Sequence, residues 1–495
     1  MAVAAVIDRA QQPLKNKKVI IMQTVLTKIA LAASLAVALS ACGTVGQDFT
    51  APANVAGTDT FRHGAAAADA AQLPKEWWSI YGDATLDRLE QSALQDNPGV
   101  KAAGERLLQA LAQSGTARAN QGPSVNVSTG ISNSRTSANT SQGLALGNRS
   151  ISGNNFSVGG SLSYEVDLLG RVKRLVEAAD AQALAAQADR DGVLLMLSAQ
   201  VASNYWQLRG LDAEMAILNG ALDTRRESAD LVEARFNAGL TNELDLARAK
   251  VELSNAQADL HEVKRQRNQL ENSLATLTGK PPSALQLPVA AEPSSLPLPP
   301  SIPVGLPASL LAHRPDLVSS VANLRAANAQ VGVAEGAFYP SLQLTGNFGY
   351  ASEKLRDLAQ GGSRQFSFGP LALSLPIFDG GRNQANLDLS KARYAEAVAN
   401  HETKLLTALR EVEDALSDVE QRQLQGDAQA LSQAAAARAY LVARTRYERG
   451  ISTYLDVTDA QRSSLAADRA AAQIKTQRLL ATVAVARSLG AGWQH

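Results

Sequence analysis

Two kinds of hydrophobic pattern alternate along this chain. Two stretches carry apolar side chains at every second position, which is typical of strands with two different faces. Each is followed by a long stretch rich in Ala, Leu, Gln, Glu and Arg, which favour helices. No proline occurs in residues 124–280 or in residues 377–495. The pattern therefore predicts strands followed by long helices, and it does so twice.

Four strands of about ten residues are predicted, joined in pairs by polar loops at about 134–154 and 351–363. Their alternating apolar positions are Val125, Val127 and Ile131; Phe156, Val158, Leu162, Tyr164 and Val166; Leu342, Leu344, Phe348 and Tyr350; and Phe366, Phe368, Leu371, Leu373, Leu375 and Ile377. In the last strand the alternation changes phase at Gly369-Pro370, which predicts a bulge or bend.

Long helices are predicted over residues 171–236 and 382–447, each reaching about 100 Å at 1.5 Å per residue. Glycines at 192, 210 and 220 are points at which the first could be interrupted, and Gly239 and Gly450 are expected to end the two helices. A second helix then returns to Gly279 or Gly490. A shorter helix opens each half, at about 86–119 and 307–336.

The chain is an internal duplication. Asn97-Pro98 aligns with Arg314-Pro315, and Leu244-Asp245 aligns with Leu455-Asp456. We therefore predict a first repeat over 76–280, with its β-hairpin at about 124–167, a proline-rich linker over 281–306, and a second repeat over 307–495, with its hairpin at about 341–378. The predicted fold class is mainly α with a transmembrane β portion.

The N-terminal 41 residues have the features of a signal peptide. Several lysines precede an uncharged stretch over 29–41, which is too short to span a membrane but suits a leader core of about 7–15 residues. Met22 is an alternative translation start. The leader ends in Leu39-Ser40-Ala41-Cys42-Gly43, which resembles the lipobox of bacterial lipoproteins, with Cys42 as the lipidated residue. The alternative is that Cys42 is only a small apolar residue in a cleaved leader. Residues 42–75 are expected to form a tether.

Composition narrows the function classes. The formal net charge is zero, with 47 basic and 47 acidic side chains, which argues against a nucleic-acid partner. One cysteine excludes an intramolecular disulfide framework, and the five histidines have no metal-like spacing. Walker, His-Glu-x-x-His and Gly-x-Ser-x-Gly patterns are absent from the sequence. We predict no enzymatic activity, no metal and no cofactor other than the covalent lipid on Cys42.

Alternating strands with polar loops are typical of outer-membrane β-barrels, although a soluble hairpin with one wet face gives the same pattern. Four strands cannot close a barrel, and open sheet edges are not tolerated in lipid. Two copies would supply eight strands around a packed interior, whereas three would supply twelve around a pore. A conducting pore therefore favours a trimer.

These motifs resemble the outer-membrane efflux protein family, the TolC-like channels, in its lipoprotein (OprM- or NodT-like) branch. The matching segments are Trp77-Trp78-Ser79-Ile80-Tyr81-Gly82-Asp83, Tyr164-Glu165-Val166-Asp167-Leu168-Leu169-Gly170-Arg171, Arg314-Pro315-Asp316-Leu317 and Leu489-Gly490-Ala491-Gly492-Trp493. The resemblance implies a homotrimer with a 12-stranded outer-membrane barrel continuous with a long periplasmic helical barrel. It also implies a periplasmic adaptor, an inner-membrane pump of the resistance-nodulation-division class, and export of drugs or other toxic compounds.

The same resemblance implies a gate at the turns over 239–242 and 450–453. By matching the family's tip segment, Leu455 would be an apolar constriction, Asp459 an acidic ring, and Arg462 its partner in the closed state. Asp245, Arg248 and Asp456 are weaker candidates. For Asp245 and Asp456 helix capping is the favoured role, and Asp459 with Arg462 could also be an ordinary surface pair.

Two other functions stay open at this point. One is an outer-membrane duct for protein or peptide secretion or for metal-ion efflux. The other is a lipid-anchored periplasmic coiled-coil protein that forms no channel.

Overall fold

The computed structural model describes residues 43–51, 61–63, 74–290, 296–300 and 313–491. The predicted signal peptide, Cys42 and Trp493 lie outside these ranges. The chain divides into two compact units. The first comprises residues 1–49, 113–180 and 325–395, and the second comprises residues 50–112, 181–324 and 396–495.

A four-stranded antiparallel sheet, in the order β1-β2-β3-β4, belongs to the first unit. The strands are β1 (Ser124–Arg135), β2 (Ser152–Val166), β3 (Ser341–Ser352) and β4 (Arg364–Ser374). The alternation in the sequence therefore identified all four strands of this sheet. Within the described chain, β1 and β4 are its edges, and each pairs with one neighbour only.

The register brings the apolar positions of all four strands onto one face of the sheet. Val127 lies opposite Gly160, which in turn lies opposite Phe348, and Phe348 lies opposite Phe366. Several of these side chains are largely exposed, among them Val127, Ile131, Phe366 and Phe368. Exposed apolar side chains at every second position form a continuous apolar face, which needs an apolar environment to cover it.

The phase change in β4 is a bulge, as predicted. Leu344 pairs with Leu371 and Gly346 pairs with Phe368, so two residues of β4 oppose one residue of β3 between these pairs. The two residues of β4 at this bulge are Gly369 and Pro370, one more than the single Thr345 on β3. Proline has no amide hydrogen to donate, so it is tolerated where the ladder is already interrupted.

Helices make up most of the rest of the described chain. They are α1 (Ala84–Asp96), α2 (Pro98–Ala119), α3 (Ser141–Ala145), α4 (Arg171–Asn237), α5 (Glu243–Leu277), α6 (Pro315–Gly336), α7 (Arg382–Glu448) and α8 (Tyr454–Ser488). Short 3-10 turns occur at Trp77–Tyr81, Pro282–Ala284, Leu355–Asp357 and Gly361–Ser363.

The two long helices, α4 and α7, contain 67 residues each. The expectation that glycines could interrupt α4 was wrong, since the helix runs through Gly192, Gly210 and Gly220. Each glycine costs only about 1 kcal/mol in a helix, and packing can offset that. At Gly210, for example, a Cβ would collide with Thr476 of α8, so the glycine permits close contact between the two helices.

The opening helix of the first repeat is broken, which the sequence analysis missed. Helix α1 ends at Asp96 and α2 begins at Pro98, with Asn97 extended between them at φ −61° and ψ 124°. A residue that precedes proline is pushed away from the helical region, because it clashes with the proline Cδ. In the second repeat α6 begins at Pro315, and residues 307–312 of the predicted helix lie outside the described residues.

An aromatic cluster forms the core of the second unit. Trp77, Tyr205 and Trp206 are almost completely buried, and Trp77 donates from Nε1 to Ser198 Oγ at 3.1 Å. Tyr205 donates its hydroxyl to Asp83 at 2.6 Å. The Trp-Trp segment is therefore a packing element that holds its 3-10 turn against α4.

Among the described residues, none of the helices combines the length and the apolar character that a membrane-spanning helix requires.

Candidate functional site

The candidate site lies at the two turns that end the long helices, in the second unit. We call this region the tip: the turns over 238–242 and 449–453 with the adjoining helix ends. Gly239 and Gly450 each have φ 71°, which ends the helices as predicted. The amide after each glycine donates back to the helix, from Leu240 to Arg235 O at 2.8 Å and from Ile451 to Arg446 O at 2.9 Å. These are Schellman-type ends.

An apolar cluster fixes the two turns of the tip to each other. Its members are Ala229, Val232, Ala249, Tyr447, Tyr454 and Val457. The Arg235 guanidinium lies 4.6 Å from the centre of the Tyr447 ring, and Tyr447 packs 5.5 Å from Tyr454. Burial raises the pKa of Tyr454 to about 12, so it stays neutral at physiological pH. The tip is therefore a packed structure joining both repeats.

The three principal gate candidates share one exposed stripe of α8. Leu455, Asp459 and Arg462 are spaced i, i+4 and i+7, so they lie on the same helix face. All three are exposed, whereas the opposite face, at Tyr454, Val457 and Thr458, is buried. The stripe is thus free to face another copy of the chain or an aqueous passage.

The main partner of Arg462 is a residue that the sequence analysis did not identify. Arg462 Nε donates to Glu252 Oε1 of α5 at 2.8 Å, and its Nη2 donates to the same oxygen. The distance to Asp459, the partner implied by the resemblance, is 3.9 Å. The hydrogen bond to Glu252 raises the pKa of Arg462.

Glu252 joins Arg462 to a second arginine. Its other oxygen, Oε2, lies 3.1 Å from Arg225 Nη2, and Arg225 Nη1 donates to the Glu252 backbone carbonyl at 3.0 Å. The side chains of Arg225 and Glu252 are only 5% and 4% exposed, whereas that of Arg462 is 55% exposed. This triad links α4, α5 and α8. Arg225 and Arg462 are both paired with the single carboxylate of Glu252.

A sequence signal for Glu252 did exist. Ala249, Glu252, Ala256 and Leu260 follow a helical period of three and four residues, and all are buried. A glutamate at a core position of an amphipathic helix has to be paired, because burying an unpaired charge is costly. Its pairing with arginines of α4 and α8 depends on tertiary structure, and no short-range pattern shows it.

The two acidic candidates at the helix starts differ in their contacts. Asp456 accepts a hydrogen bond from the backbone amide of Thr453 at 3.1 Å and from its hydroxyl at 3.0 Å. This is the predicted capping role. Asp245 accepts from the Thr241 hydroxyl at 2.9 Å, and its own amide donates to Asn242 Oδ1 at 2.9 Å. The cap of α5 is therefore made by Asn242.

The first repeat has a charge of opposite sign at the position of the acidic candidate. Since Leu244-Asp245 aligns with Leu455-Asp456, Arg248 aligns with Asp459. Arg248 lies 3.5 Å from Asp245. In the aligned repeats, a basic and an acidic side chain thus occupy equivalent sequence positions.

A second set of ion pairs lies further along α8. Arg469 Nε donates to Glu214 Oε1 of α4 at 2.7 Å, and its Nη1 donates to Asp259 of α5 at 3.1 Å. The same three helices are therefore joined twice by an arginine of α8. Among the described residues, no group of three or more His, Cys, Asp or Glu side chains could hold a metal ion.

Comparison with known proteins gives matches over almost the whole described chain. The model of the outer membrane efflux protein family matches residues 89–280 and 306–491. The chain is 37% identical to outer membrane protein OprJ of Pseudomonas aeruginosa, over 85% of this chain and 87% of that protein. It is 33% identical to the pyoverdine export outer membrane protein OpmQ of the same organism, over 92% and 96% of the two chains. The solved structure of the outer-membrane channel OprN superposes with a TM-score of 0.82 at 30% identity, covering 91% of this chain and 99% of that one.

Proposed function

Because this chain belongs to the outer membrane efflux protein family, we propose that three copies of it assemble into a gated duct through which toxic compounds leave the cell. Membership makes the chain an outer-membrane component of an efflux pump. The trimer, the gate, the lipid anchor, the partners and the cargo are our proposals.

The four-stranded sheet is the observation that carries the trimer. Its edge strands, β1 and β4, each lack a second neighbour in the described chain, and one of its faces is apolar and exposed. An open edge leaves backbone groups unpaired, which is very costly in lipid. Pairing β4 of one copy with β1 of the next removes every edge when three copies close a barrel of twelve strands.

The tip supports a gate formed by the three copies. Three-fold symmetry brings three copies of the stripe over Leu455, Asp459 and Arg462 around one axis. Leu455 narrows the passage, and the Asp459 carboxylates select for cations. The Arg462–Glu252 contact holds α8 against α5, so breaking it is the step that allows the tip to open.

Cys42 is proposed as the site of the lipid anchor. The resemblance of residues 39–43 to a lipobox supports this role. The acyl chains would add membrane affinity to that of the barrel.

A periplasmic adaptor and an inner-membrane pump of the resistance-nodulation-division class are the proposed partners. The relatives are named for different cargoes, pyoverdine in one case and cations in another, such as the cation efflux protein CusC of Escherichia coli. The duct of this chain is therefore proposed to serve drugs or other toxic compounds selected by the pump.

A matched pair of substitutions in β1 tests the barrel. Val127 lies on the apolar face and Ser128 on the opposite face of the same strand. A lysine on the lipid side of a barrel costs about 2–4 kcal/mol near the midplane, whereas lumen positions tolerate it. We expect Val127→Lys to abolish most of the trimer in outer membranes, measured as the gel band that runs as a trimer until the sample is heated (the heat-modifiable trimer). Ser128→Lys should leave this trimer intact. Equal effects of the two lysines would refute the barrel.

Transport is tested in a strain that lacks the chain. We expect its deletion to sensitise cells to a panel of drugs and dyes, and a plasmid copy to restore resistance. Sensitivity confined to metal ions, or a defect confined to protein secretion, would instead assign the duct to one of those cargoes.

A further inference from the structure

The first residues after Cys42 are bound to the first unit by several hydrogen bonds. The Val45 amide donates to Leu169 O at 2.9 Å, and Asn328 Nδ2 donates to Gln47 O at 2.9 Å. We call residues 43–48 the strap. The strap is the start of the predicted tether, and it contacts α4, α6 and the turn before α4.

Arg174 of α4 is the centre of these contacts. Its guanidinium donates to Val45 O at 3.0 Å, Gly46 O at 2.9 Å and Asp48 Oδ1 at 2.8 Å. A fourth contact, at 2.8 Å, goes to Glu177 of the same helix. The side chain is only 3% exposed. A buried guanidinium whose donors are directed mainly at a neighbouring segment fixes that segment in one register.

Two glycines allow the strap to lie this close. Gly46 has φ 86°, and a Cβ on it would lie 2.7 Å from the Cα of Gly332 in α6. A Cβ on Gly332 would lie 3.1 Å from Arg174 Cγ and 3.2 Å from Val45 O. A larger residue at position 46 would push the strap away from α6, and one at position 332 would collide with both Arg174 and the strap.

The second repeat provides an internal comparison. Since Gly170-Arg171 aligns with Gly381-Arg382, the position of Arg174 is taken by Ala385 in α7. The glycine equivalent to Gly332 is Gly115, and a Cβ there would have no neighbour within 4 Å among the described residues. Arginine is thus present in the long helix that contacts the strap and is replaced by alanine in the duplicate helix, so the fold of the repeat does not require it.

The strap is held next to the end of the sheet. Strand β2 ends at Val166, and a Cβ on Gly170 would lie 2.5 Å from Thr44 Cγ2. This is the end of the sheet where the strands continue into helices, away from the loops over 136–151 and 353–363. Because a chain spans at most about 3.6 Å per residue, a lipid attached two residues before Thr44 has a backbone reach of about 7 Å from it.

We propose that Arg174 is a positioning residue that ties the acylated N-terminus to the helix-connected end of the sheet. The acyl chains on Cys42 then hold the strands of each newly exported copy at the membrane surface until three copies close the barrel. The lipid alone would only retain the chain on the membrane, whereas the strap fixes which end of the sheet faces it. This inference rests on the proposed lipidation and trimer.

A double-mutant comparison tests it. Four proteins are exported and pulse-labelled: wild type, Arg174→Met, Cys42→Ser behind a leader that needs no lipobox, and the double variant. The readout is the rate at which heat-modifiable trimer forms. A tethered group acts through its effective concentration. We therefore expect Arg174→Met to slow trimer formation by the acylated protein at least about tenfold. In the Cys42→Ser background we expect Arg174→Met to change the rate of trimer formation by less than about twofold. Equal slowing in both backgrounds, or none in either, would overturn the proposal.

Two further variants keep the test independent of misfolding. Gly46→Ala displaces the strap without altering α4, and it should reproduce the dependence on Cys42. Arg118→Met, in the same unit, removes an arginine that is 63% exposed and pairs with Asp180, and it should have no effect in either background.

A nitroxide at exposed Gln47, introduced as Gln47→Cys, should be immobile in the parent protein and mobile with Arg174→Met. An immobile label in both proteins would also overturn the proposal that Arg174 holds the strap.

Mass spectrometry of the N-terminal peptide distinguishes failure of the proposed lipid anchor from failure of this inference alone. Unmodified Cys42 in the wild-type protein would refute both the proposed anchor and this inference. Acylated Cys42 together with an effect of Arg174→Met that is independent of Cys42 would refute the inference alone.

Discussion

Arg462 of α8 donates two hydrogen bonds to one carboxylate oxygen of Glu252 in α5, and Glu252 is almost completely buried. The same carboxylate neutralises Arg225 of α4. The charge that holds α8 in place at the tip is therefore inside the helix packing, whereas the charge expected to face the passage, Asp459, is exposed. In the proposed gate, closure and ion selection are thus assigned to different acidic residues.

The first prediction concerns closure. Glu252→Gln keeps the shape of the side chain but leaves the buried Arg225 without a counter-charge, which costs on the order of 3 kcal/mol. It also weakens the hold on Arg462. We expect a higher single-channel conductance in planar bilayers and a lower stability of the tip.

Glu262→Gln is the matched control for Glu252→Gln. Glu262 is on the same helix, but it is exposed and its ion pair with Arg265 lies within α5. Exposed pairs contribute little to stability, so conductance should not change. If Glu252→Gln left conductance at the parent value, the triad would have no part in the gate.

The second prediction concerns ion selection. Asp459 is 63% exposed and lies 3.9 Å from Arg462, so its charge is only weakly compensated. Asp459→Asn should shift the reversal potential in a salt gradient toward lower cation selectivity, with a smaller change in conductance than Glu252→Gln gives. Asp223→Asn, at an exposed position of α4, is the comparison and should leave selectivity unchanged. Equal reversal potentials for Asp459→Asn and the parent protein would remove Asp459 from the passage.

The third prediction separates the two helix starts. Asp456→Ala removes a side chain that accepts from the Thr453 amide, and losing such a cap typically costs about 1 kcal/mol. Asp245→Ala should cost less, because Asp245 accepts only from the side chains of Thr241 and Asn242, so no backbone amide loses its partner. Hydrogen exchange at the start of each helix measures the difference. Similar opening of α5 and α8 in the two variants would contradict these assignments.

Much of the fold could be predicted from the sequence because it depends on local patterns. Period-two alternation identified the four strands, the absence of proline identified the long helices, and Gly239 and Gly450 marked their ends. The break at Asn97-Pro98 was also a local signal, but it was overlooked. The glycines inside α4 were misleading as signs of a helix break. The destabilisation that each causes in the helix is small compared with the stabilisation from the close packing that it permits.

The ion pairs could not be predicted in the same way. Glu252 and Arg462 are separated by 210 residues along the chain. The repeat alignment does not relate them either, because Glu252 aligns with Ser463 and Arg462 with Val251. The register between α5 and α8 decides this contact, and it is set by the whole packed tip. The resemblance identified the helix face that carries Arg462, whereas its partner Glu252 is set by tertiary packing.

The last prediction concerns a buried acid away from the tip. Glu90 of α1 is completely buried beside the aromatic core of the second unit. Burial, with a smaller contribution from Asp87, raises the pKa of Glu90 well above its ordinary value. A raised pKa in the folded state means that folding favours the protonated form. Its contribution to stability is therefore complete below the ordinary pKa and is lost as the pH rises through the raised one, by about 1.4 kcal/mol per pH unit.

Glu90→Gln replaces this acid with a neutral side chain of the same shape, so it should remove that pH dependence. We expect the variant to unfold at a higher temperature than the parent protein at about pH 9, with the difference shrinking or reversing at about pH 4. Thermal unfolding of the detergent-solubilised protein across this range measures it. Glu76→Gln, an exposed neighbour in the same segment, should follow the parent protein throughout. Parallel pH profiles for Glu90→Gln and the parent would show that Glu90 is ionised in the folded protein, because only a group that binds its proton more tightly when folded gives stability that falls with rising pH.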